Sequence, residues 1–276
     1  MNKLKHDFKN GKGPVFAHRH INYDRKEGGW VADSASVAQA VFIGCYAKVY
    51  GEAQVYGEAQ VYGYARVSGK ACVYNEAQIA DNALVHEDAR VFGEAMVSGH
   101  ARISGGAHLY GDANVYEDVE VSGEAQVFGN AHIVGCVRIF GKPRISGDVC
   151  ILGGARVSGD AQVSGNVHIS GEAHVFGNAQ VSGKVHISGR AQVFDSVKLS
   201  GNLRVSGDAN VSKSPLQVLG LGCSVAIFDN FVQIGSEQYL YSELKSLAER
   251  KFDKADSGVL VEYPVLLPFL SSILDK

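Results

Sequence analysis

Four residues with metal-binding side chains recur at intervals of 18 in this chain of 276 residues: His132, Cys150, His168 and His186. Imidazole and thiolate groups are preferred ligands of zinc, and three histidines around an open position are typical of catalytic zinc. Equivalent positions elsewhere in the chain carry Gln, Arg or Lys. The series is therefore consistent with a metal site and also with a row of ordinary polar side chains.

A second series with the same interval is acidic: Glu58, Glu76, Glu94 and Asp112. Carboxylates are the ligands that Ca²⁺ prefers, so the series could hold a hard cation. The same charges would attract basic residues of another chain. The simplest interpretation is a set of solvated turn side chains whose mutual repulsion is reduced by salt. All three interpretations stay open from the sequence.

A third series is aromatic and directly precedes the acidic one: Tyr56, Tyr74, Phe92, Tyr110 and Phe128. Aromatic ladders stabilise neighbouring strands by themselves. A contiguous exposed apolar strip also marks interaction sites on many proteins. A subunit interface is the interpretation we expect, and a simple ladder or a ligand platform are the alternatives.

Motifs of catalysis are missing from the sequence. No GxSxG, Walker loop or HExxH pattern occurs. His86 and His100 are single histidines without a neighbouring segment that would enclose a pocket. We therefore assign no catalytic residue.

One repeated unit of six residues must position these side chains. From Val31 to Val211, every sixth residue is Val, Ile or Leu, 31 times without an insertion or deletion. Counting this residue as position 1, position 5 is Ala in 21 units and position 3 is Gly in 22. An internal repeat of this kind indicates the overall architecture more directly than any short local pattern does.

Each unit has the chemistry of one short strand and one corner. The aliphatic residue at position 1 points inward, and its polar or aromatic neighbours at positions 6 and 2 point outward. Gly followed by an acidic or amide residue is typical of a turn, and the small residue after it fits inside the corner. A period of six lies on no helical face, which excludes an α-helix.

The pattern resembles the hexapeptide-repeat superfamily, whose members fold as left-handed parallel β-helices. The family pattern is an aliphatic residue followed four positions later by a small one, and it covers Val31 to about Leu216, roughly two thirds of the chain. In the family, a small or acidic residue commonly follows the aliphatic one. Here Ser, Tyr or Phe does, which is closer to bacterial and phage members labelled transferases without an established reaction.

The resemblance implies an all-β, left-handed solenoid with three hexads per coil, hence about ten coils and a length of ~48 Å. Residues 18 apart would then stack, so each series above would form a column. Acyltransferases of the superfamily bind an acyl carrier between subunits and use a histidine as general base. Its γ-class carbonic anhydrases bind zinc through surface histidines. The acyltransferases usually carry a loop that interrupts the hexads, and this chain has none, so that function rests on fold analogy alone.

The ends of the solenoid are expected to be covered, because open strand edges promote aggregation. We predict an N-terminal cap (1–30), a solenoid of 31 hexads (31–216) and a C-terminal cap of a hairpin and helices (217–276). The N-terminal cap is expected to be irregular, with Trp30, the only tryptophan, packed over the first coil.

The C-terminal segment contains alternating apolar residues around a turn. Val225–Phe228 and Phe231–Ile234 flank Asp229 and Asn230, which predicts a β-hairpin. Apolar residues at helical spacing predict one helix from Ser242 to about Phe252 and a last helix that begins at Pro264.

Composition limits the classes of partner. The net charge is −3, and a near-neutral total is unlike that of a general nucleic-acid binder. The charge is asymmetric along the chain, since residues 49–126 carry a net charge of −8 and residues 127–216 one of +4. The start has no apolar signal region, no apolar run approaches about 20 residues, and the five cysteines show no CxxC spacing. We expect a reduced, cytoplasmic protein without membrane or nucleic-acid partners.

Taken together, the sequence favours a non-catalytic binding or scaffold protein that presents columns of side chains on a rigid solenoid. We expect a homo-oligomer formed through one solenoid face, with a protein partner as a further option and no cofactor. The alternative function is an acyltransferase that uses acyl-CoA, and a divalent metal would be the cofactor of a site resembling that of carbonic anhydrase.

Overall fold

The computed structural model describes residues 4–218, 225–235 and 237–243, and the hexads form a parallel β-solenoid. Each hexad contributes a short strand around its aliphatic residue, followed by a corner. Apart from the strands at its two ends, each solenoid strand pairs in parallel with the strands 18 residues before and after it, so that Val73 lies opposite Val55 and Val91. Three hexads therefore make one coil, as predicted, and the sheets give a solenoid of about ten coils.

The solenoid has three faces, each formed by one long sheet. Face 1 contains, in spatial order, β1 (Lys5–His6), β2 (Val15–Ile21), β3 (Glu27–Ala32), β6 (Lys48–Val49), β9 (Arg66–Val67), β12 (Leu84–Val85), β15 (Arg102–Ile103), β18 (Glu120–Val121), β21 (Arg138–Ile139), β24 (Arg156–Val157), β27 (His174–Val175), β30 (Gln192–Val193) and β33 (Asn210–Val211). Face 2 contains β4 (Ser36–Val37), β7 (Gln54–Val55), β10 (Cys72–Val73), β13 (Arg90–Val91), β16 (His108–Leu109), β19 (Gln126–Val127), β22 (Arg144–Ser146), β25 (Gln162–Ser164), β28 (Gln180–Val181) and β31 (Lys198–Leu199). Face 3 contains β5 (Phe42–Ile43), β8 (Gln60–Val61), β11 (Gln78–Ile79), β14 (Met96–Val97), β17 (Asn114–Tyr116), β20 (His132–Gly135), β23 (Cys150–Gly153), β26 (His168–Ile169), β29 (His186–Ile187) and β32 (Arg204–Val205).

The interior is one continuous apolar cluster that runs from Val31 through the whole solenoid to Phe231. Ile133 at position 1 and Ala131 at position 5 are both fully buried, and their counterparts in nearly every hexad are too. The prediction of an aliphatic interior with small residues at the corners is confirmed. The side chains at positions 6, 2 and 4 are the ones left to face solvent.

The corners require a left-handed backbone and leave little space between coils. Gly123 has φ +73°, and a Cβ atom there would lie 2.4 Å from the carbonyl oxygen of Gly141 in the next coil. Five non-glycine residues adopt the same conformation at other corners: Asn75, Asp81, Glu87, Glu117 and Asp195. The residue at position 3 must therefore adopt a positive φ, and a residue without a side chain also fits the narrow space between coils.

The N-terminal segment is not irregular, so that prediction is wrong. β1, β2 and β3 form an antiparallel extension of face 1, with Ala17 opposite Ala32. Trp30 stacks on His6 at 4.3 Å between ring centroids and packs against a small buried cluster that contains Phe8.

Side chains of this extension cover the open edge of the first coil. The Asn22 amide accepts a hydrogen bond from Ile43 N–H at 2.8 Å and donates one to Ile43 C=O at 3.0 Å. Arg19 donates to the carbonyl of Cys45 at 3.0 Å. The edge groups of β5 and its corner are thus satisfied without another strand.

The C-terminal end is covered by a separate antiparallel sheet: β34 (Leu216–Val218), β35 (Val225–Ile227), β36 (Phe231–Ile234) and β37 (Glu237–Leu240). The predicted hairpin is confirmed as β35 and β36, and the sequence pattern missed the two outer strands. Residues 241–243 are helical. The rest of the helix predicted from Ser242 and the whole helix predicted from Pro264 lie outside the described residues.

Glutamine side chains connect this sheet to the last coil. Gln233 is 2% exposed; its Oε1 accepts the Arg204 N–H at 2.6 Å, and its Nε2 donates to the Asn202 carbonyl at 3.2 Å. Gln238 accepts the backbone N–H of Ser206 at 3.2 Å. Both ends of the solenoid therefore use polar side chains in place of a further coil.

Candidate functional site

The aromatic series forms a continuous stack on face 2, which we call the ladder: Tyr56, Tyr74, Phe92, Tyr110 and Phe128. Neighbouring ring centroids lie 4.7–4.8 Å apart, and their planes differ by only 3–5°. The ring spacing equals the spacing of hydrogen-bonded strands, so the backbone register places each ring in offset contact with the next. The sequence therefore identified a real surface column.

The rings of the ladder are partly exposed and uncharged. Tyr56 is 41% exposed, and the other four rings are partly exposed. Burial raises the pKa of Tyr56 and of Tyr74 above the usual value, with the neighbouring Cys72 thiol and Tyr56 phenol adding to the respective shifts. Both phenols are therefore neutral at physiological pH. At the far end, the guanidinium of Arg144 lies 5.9 Å from the ring centroid of Phe128.

The acidic series, which we call the acidic column, lines the corner beside the ladder. Glu58, Glu76 and Glu94 border a shallow hollow of about 360 Å³. Among the described residues, no basic nitrogen lies within 4.0 Å of these carboxylates or of Asp112. Two unit charges ~4.8 Å apart in water repel each other by about 0.9 kcal/mol. A partner that supplies positive charge would reduce this repulsion.

The histidine and cysteine series also stacks in register, on face 3. Cys150 lies opposite His132 on one side and His168 on the other. The His132 side chain forms a hydrogen bond outside this series, since its Nε2 lies 2.6 Å from the Tyr116 hydroxyl. The rings of His168 and His186 are 5.7 Å apart and tilted.

Electrostatics on face 3 disfavour additional charge. Burial raises the pKa of the Cys150 thiol. Burial, followed by the nearby charges of Arg204 and His168, lowers the pKa of His186. Within the described ranges, no group of three or more His, Cys, Asp or Glu side chains is arranged to hold a metal ion.

The two isolated histidines lie apart from each other. The His86 Nδ1 is 3.8 Å from a carboxylate oxygen of Glu87 on face 1. His100 lines a small hollow of about 260 Å³ with Arg102, Asp118 and Glu120.

A groove that sequence reasoning missed runs along the corner between faces 3 and 1. It has a volume of about 490 Å³ and is lined by Cys136, Arg138, Gly154, Arg156, Glu172, His174, Arg190 and Gln192. Gly154 has no side chain, so the corner is recessed between Cys136 and Glu172. The sequence does contain a signal for this groove, because the side chains at positions 4 and 6 of the same hexad lie next to each other at this corner.

Arginines supply most of the charge in this groove. Arg138 Nε lies 3.6 Å from Glu120, and Arg190 makes two hydrogen bonds to Asp208, at 2.7 and 3.0 Å. Arg156 has no acidic side chain within 4.0 Å among the described residues. Its guanidinium is therefore the unpaired positive charge of the groove.

Neither family models nor curated proteins match this chain at a significant level. Within the described part of the chain, no helix is both long and apolar enough to cross a membrane.

Proposed function

We propose that this protein is a non-catalytic scaffold that associates with a second copy of itself through the ladder on face 2. The observation that carries the proposal is the five-ring ladder, which is in register, partly exposed and free of charge. When a partner covers a strip of this kind on a flat sheet, its apolar surface is removed from water, which favours association.

The dimensions of face 2 suit such an interface. Ten coils at ~4.8 Å are ~48 Å long, and about five residues of strand and corner are ~16 Å wide. The face therefore measures about 770 Å², close to the ~800 Å² that each partner contributes to a stable interface of standard size. Because the backbone of a solenoid is rigid, little conformational entropy is lost when the face is covered.

Charge complementarity favours a second copy in an antiparallel arrangement. The acidic column occupies one end of its corner; Asp148 follows at position 4, where it accepts a hydrogen bond from Asn130, and the exposed Lys184 lies at position 4 near the other end. A twofold axis across face 2 would place this corner of one copy against the same corner of the other in reverse order. Lys184 of each copy would then approach the carboxylates of Glu58 and Glu76 in its partner.

The first experiment disrupts the ladder. Tyr74→Glu combined with Phe92→Glu would bury two carboxylates in the apolar strip, so we expect the variant to be monomeric at a concentration where the unmodified protein associates. The measurement is the molar mass by light scattering coupled to size-exclusion chromatography. Ser170→Glu with Ser188→Glu, at the equivalent outward position of face 3, is the matched control and should associate normally. Unchanged mass of the ladder variant would overturn the proposal.

The second experiment tests the orientation by charge exchange. Lys184→Glu should weaken association, and adding Glu58→Lys and Glu76→Lys to it should restore the association. A parallel arrangement would show no such rescue. Association of the unmodified chain should also weaken at higher salt, because these pairs lie at the edge of the interface.

The non-catalytic part of the proposal has its own test. Incubation of the protein with acetyl-CoA and longer acyl-CoA thioesters plus a panel of acceptors should release no free thiol above the background rate. Turnover that is lost in His86→Ala, His100→Ala, His168→Ala or His186→Ala would overturn this part and favour the acyltransferase alternative.

A further inference from the structure

Face 1 carries a second aromatic column with one rung missing. In its second half, the outward residues at position 2 are Phe140, Ser158, Phe176 and Phe194. Phe176 and Phe194 stack with ring centroids 5.2 Å apart and planes 9° from parallel. Phe140 has no aromatic neighbour in the adjacent coils and is 46% exposed. The serine therefore leaves an opening between two rings that lie two coils apart.

The opening has the size of one aromatic ring. Two coil spacings separate Phe140 from Phe176 by about 9.6 Å. In the complete ladder on face 2, each ring sits 4.7–4.8 Å from its neighbours in offset contact. A planar ring placed over Ser158 would adopt the same spacing to Phe140 on one side and Phe176 on the other. The floor of the opening is held in place, because Ser158 N–H donates to the Val175 carbonyl at 2.9 Å.

A positive charge lies beside this opening. Arg156 lies in β24 and precedes Ser158 by two residues, so both side chains point outward, and their Cα atoms are about 6.6 Å apart. Arg156 also lines the recessed groove next to Gly154. Unlike Arg138 and Arg190, it has no carboxylate within 4.0 Å in the described structure. A guanidinium without a counter-ion is suited to a phosphate or carboxylate group.

His174 and Glu172 lie beside Arg156 in the same groove. The pKa of His174 is lowered, first by burial and then by the charge of Arg156, while Glu172 opposes the shift. His174 is therefore neutral at physiological pH and can donate a hydrogen bond without adding charge. The exposed carboxylate of Glu172 lines this groove at the corner and does not pair with Arg156.

We infer that the opening over Ser158, together with Arg156, binds a flat aromatic ring that carries an anionic group within reach of the Arg156 side chain. Phe140 and Phe176 hold the ring by stacking, and Arg156 pairs with the anion. Two sources share this chemistry: nucleoside monophosphates, and aromatic carboxylates such as indole-3-acetate. The site is on a different face from the ladder, so it does not depend on self-association.

Isothermal titration calorimetry with the full chain tests this inference. The probes are adenosine 5′-monophosphate and indole-3-acetate, with adenosine and ribose 5-phosphate as the separated halves. At least one joined probe should bind, and each half should bind at least about tenfold more weakly, since it lacks either the stacking or the charge pair. Binding of the nucleotide alone, of the carboxylate alone or of both supports the site and identifies its ligand class.

Two variants separate the two parts of the site. Ser158→Phe supplies the missing rung from the chain itself, so it should abolish binding while the protein melts at the same or a higher temperature. Arg156→Gln should weaken binding by about tenfold or more. Ser122→Phe, at the same position on the other side of Phe140, leaves the opening free and should bind normally. No binding of either joined probe at millimolar concentration, or equal binding by Ser158→Phe, would overturn the inference.

Discussion

The close approach of consecutive corners predicts that Gly123→Ala destabilises the solenoid more than an ordinary left-handed glycine substitution does. The added Cβ would lie 2.4 Å from Gly141 O and 2.8 Å from Gly141 N. Alanine in this conformation costs roughly 1–2 kcal/mol by itself. The collision would also displace the hydrogen bond from Glu124 N–H to Gly141 O, now 2.7 Å, which is worth about 0.5–1.5 kcal/mol. With overpacking of about 1–3 kcal/mol, we expect a total loss of about 2.5–6.5 kcal/mol.

Gly207→Ala is the matched control for this prediction. Gly207 has φ +67°, and no heavy atom of the described residues lies within 4 Å of the position of its Cβ. It should therefore show only the conformational cost of roughly 1–2 kcal/mol. The difference between the two variants isolates the contact between coils from the backbone term.

The assay combines urea denaturation followed by circular dichroism with native-state hydrogen exchange, because repeat proteins can open locally before they unfold globally. In Gly123→Ala, the amide of Glu124 should exchange at least about tenfold faster, which corresponds to about 1.4 kcal/mol. Non-glycine corners show how a side chain can be accommodated, since Glu87 Oε2 accepts the Gly105 N–H at 2.6 Å. Alanine has no such acceptor. Equal destabilisation by Gly123→Ala and Gly207→Ala would refute the reasoning.

Two further predictions concern the cap and the interior. Gln233→Ala should lower the free energy of unfolding by about 2–4 kcal/mol and accelerate exchange of the Arg204 amide, because it leaves buried polar groups of the last coil unpaired. The control is Gln180→Ala, at an exposed position. Unchanged protection of the Arg204 amide in Gln233→Ala would contradict the role of the cap. Ile133→Ala should cost about 2–5 kcal/mol in denaturation experiments, since Ile133 is fully buried and a narrow core cannot collapse around a cavity. The half-exposed Val134→Ala on the same strand should cost less than about 1 kcal/mol, and similar losses for both would argue against a continuous core.

Much of the fold could be predicted because the same local pattern of strand and corner recurs in every hexad. An aliphatic residue and an alanine four positions later fit only the inside of a short strand and a corner, and Val73 between Val55 and Val91 shows the predicted register. The hairpin of Val225–Ile227 and Phe231–Ile234 also follows from local alternation. The columns of candidate residues followed directly once residues 18 apart were taken as neighbours.

The ends could not be predicted in the same way. Gly28 and Gly29 look like flexible residues in the sequence, but a Cβ at Gly29 would lie 2.1 Å from Ala47 O, so the absence of a side chain there permits tight packing. Asn22 and Gln233 are ordinary polar residues in the sequence. Their caps depend on groups 21 and 29 residues away, and no local pattern records such partners.

The sequence by itself determined the parallel coils, the inward and outward sides of every hexad and the order of residues within each column, because these follow from a period that never shifts. Only the tertiary structure decided how the columns act on each other. It showed that the rings of Tyr56 to Phe128 lie parallel, that His132 contacts Tyr116, and that Arg156, near the gap at Ser158, has no carboxylate within 4.0 Å in the part of the chain that the structure describes. Those relations join residues across coils and corners, and they depend on side-chain directions and distances that a linear repeat does not specify.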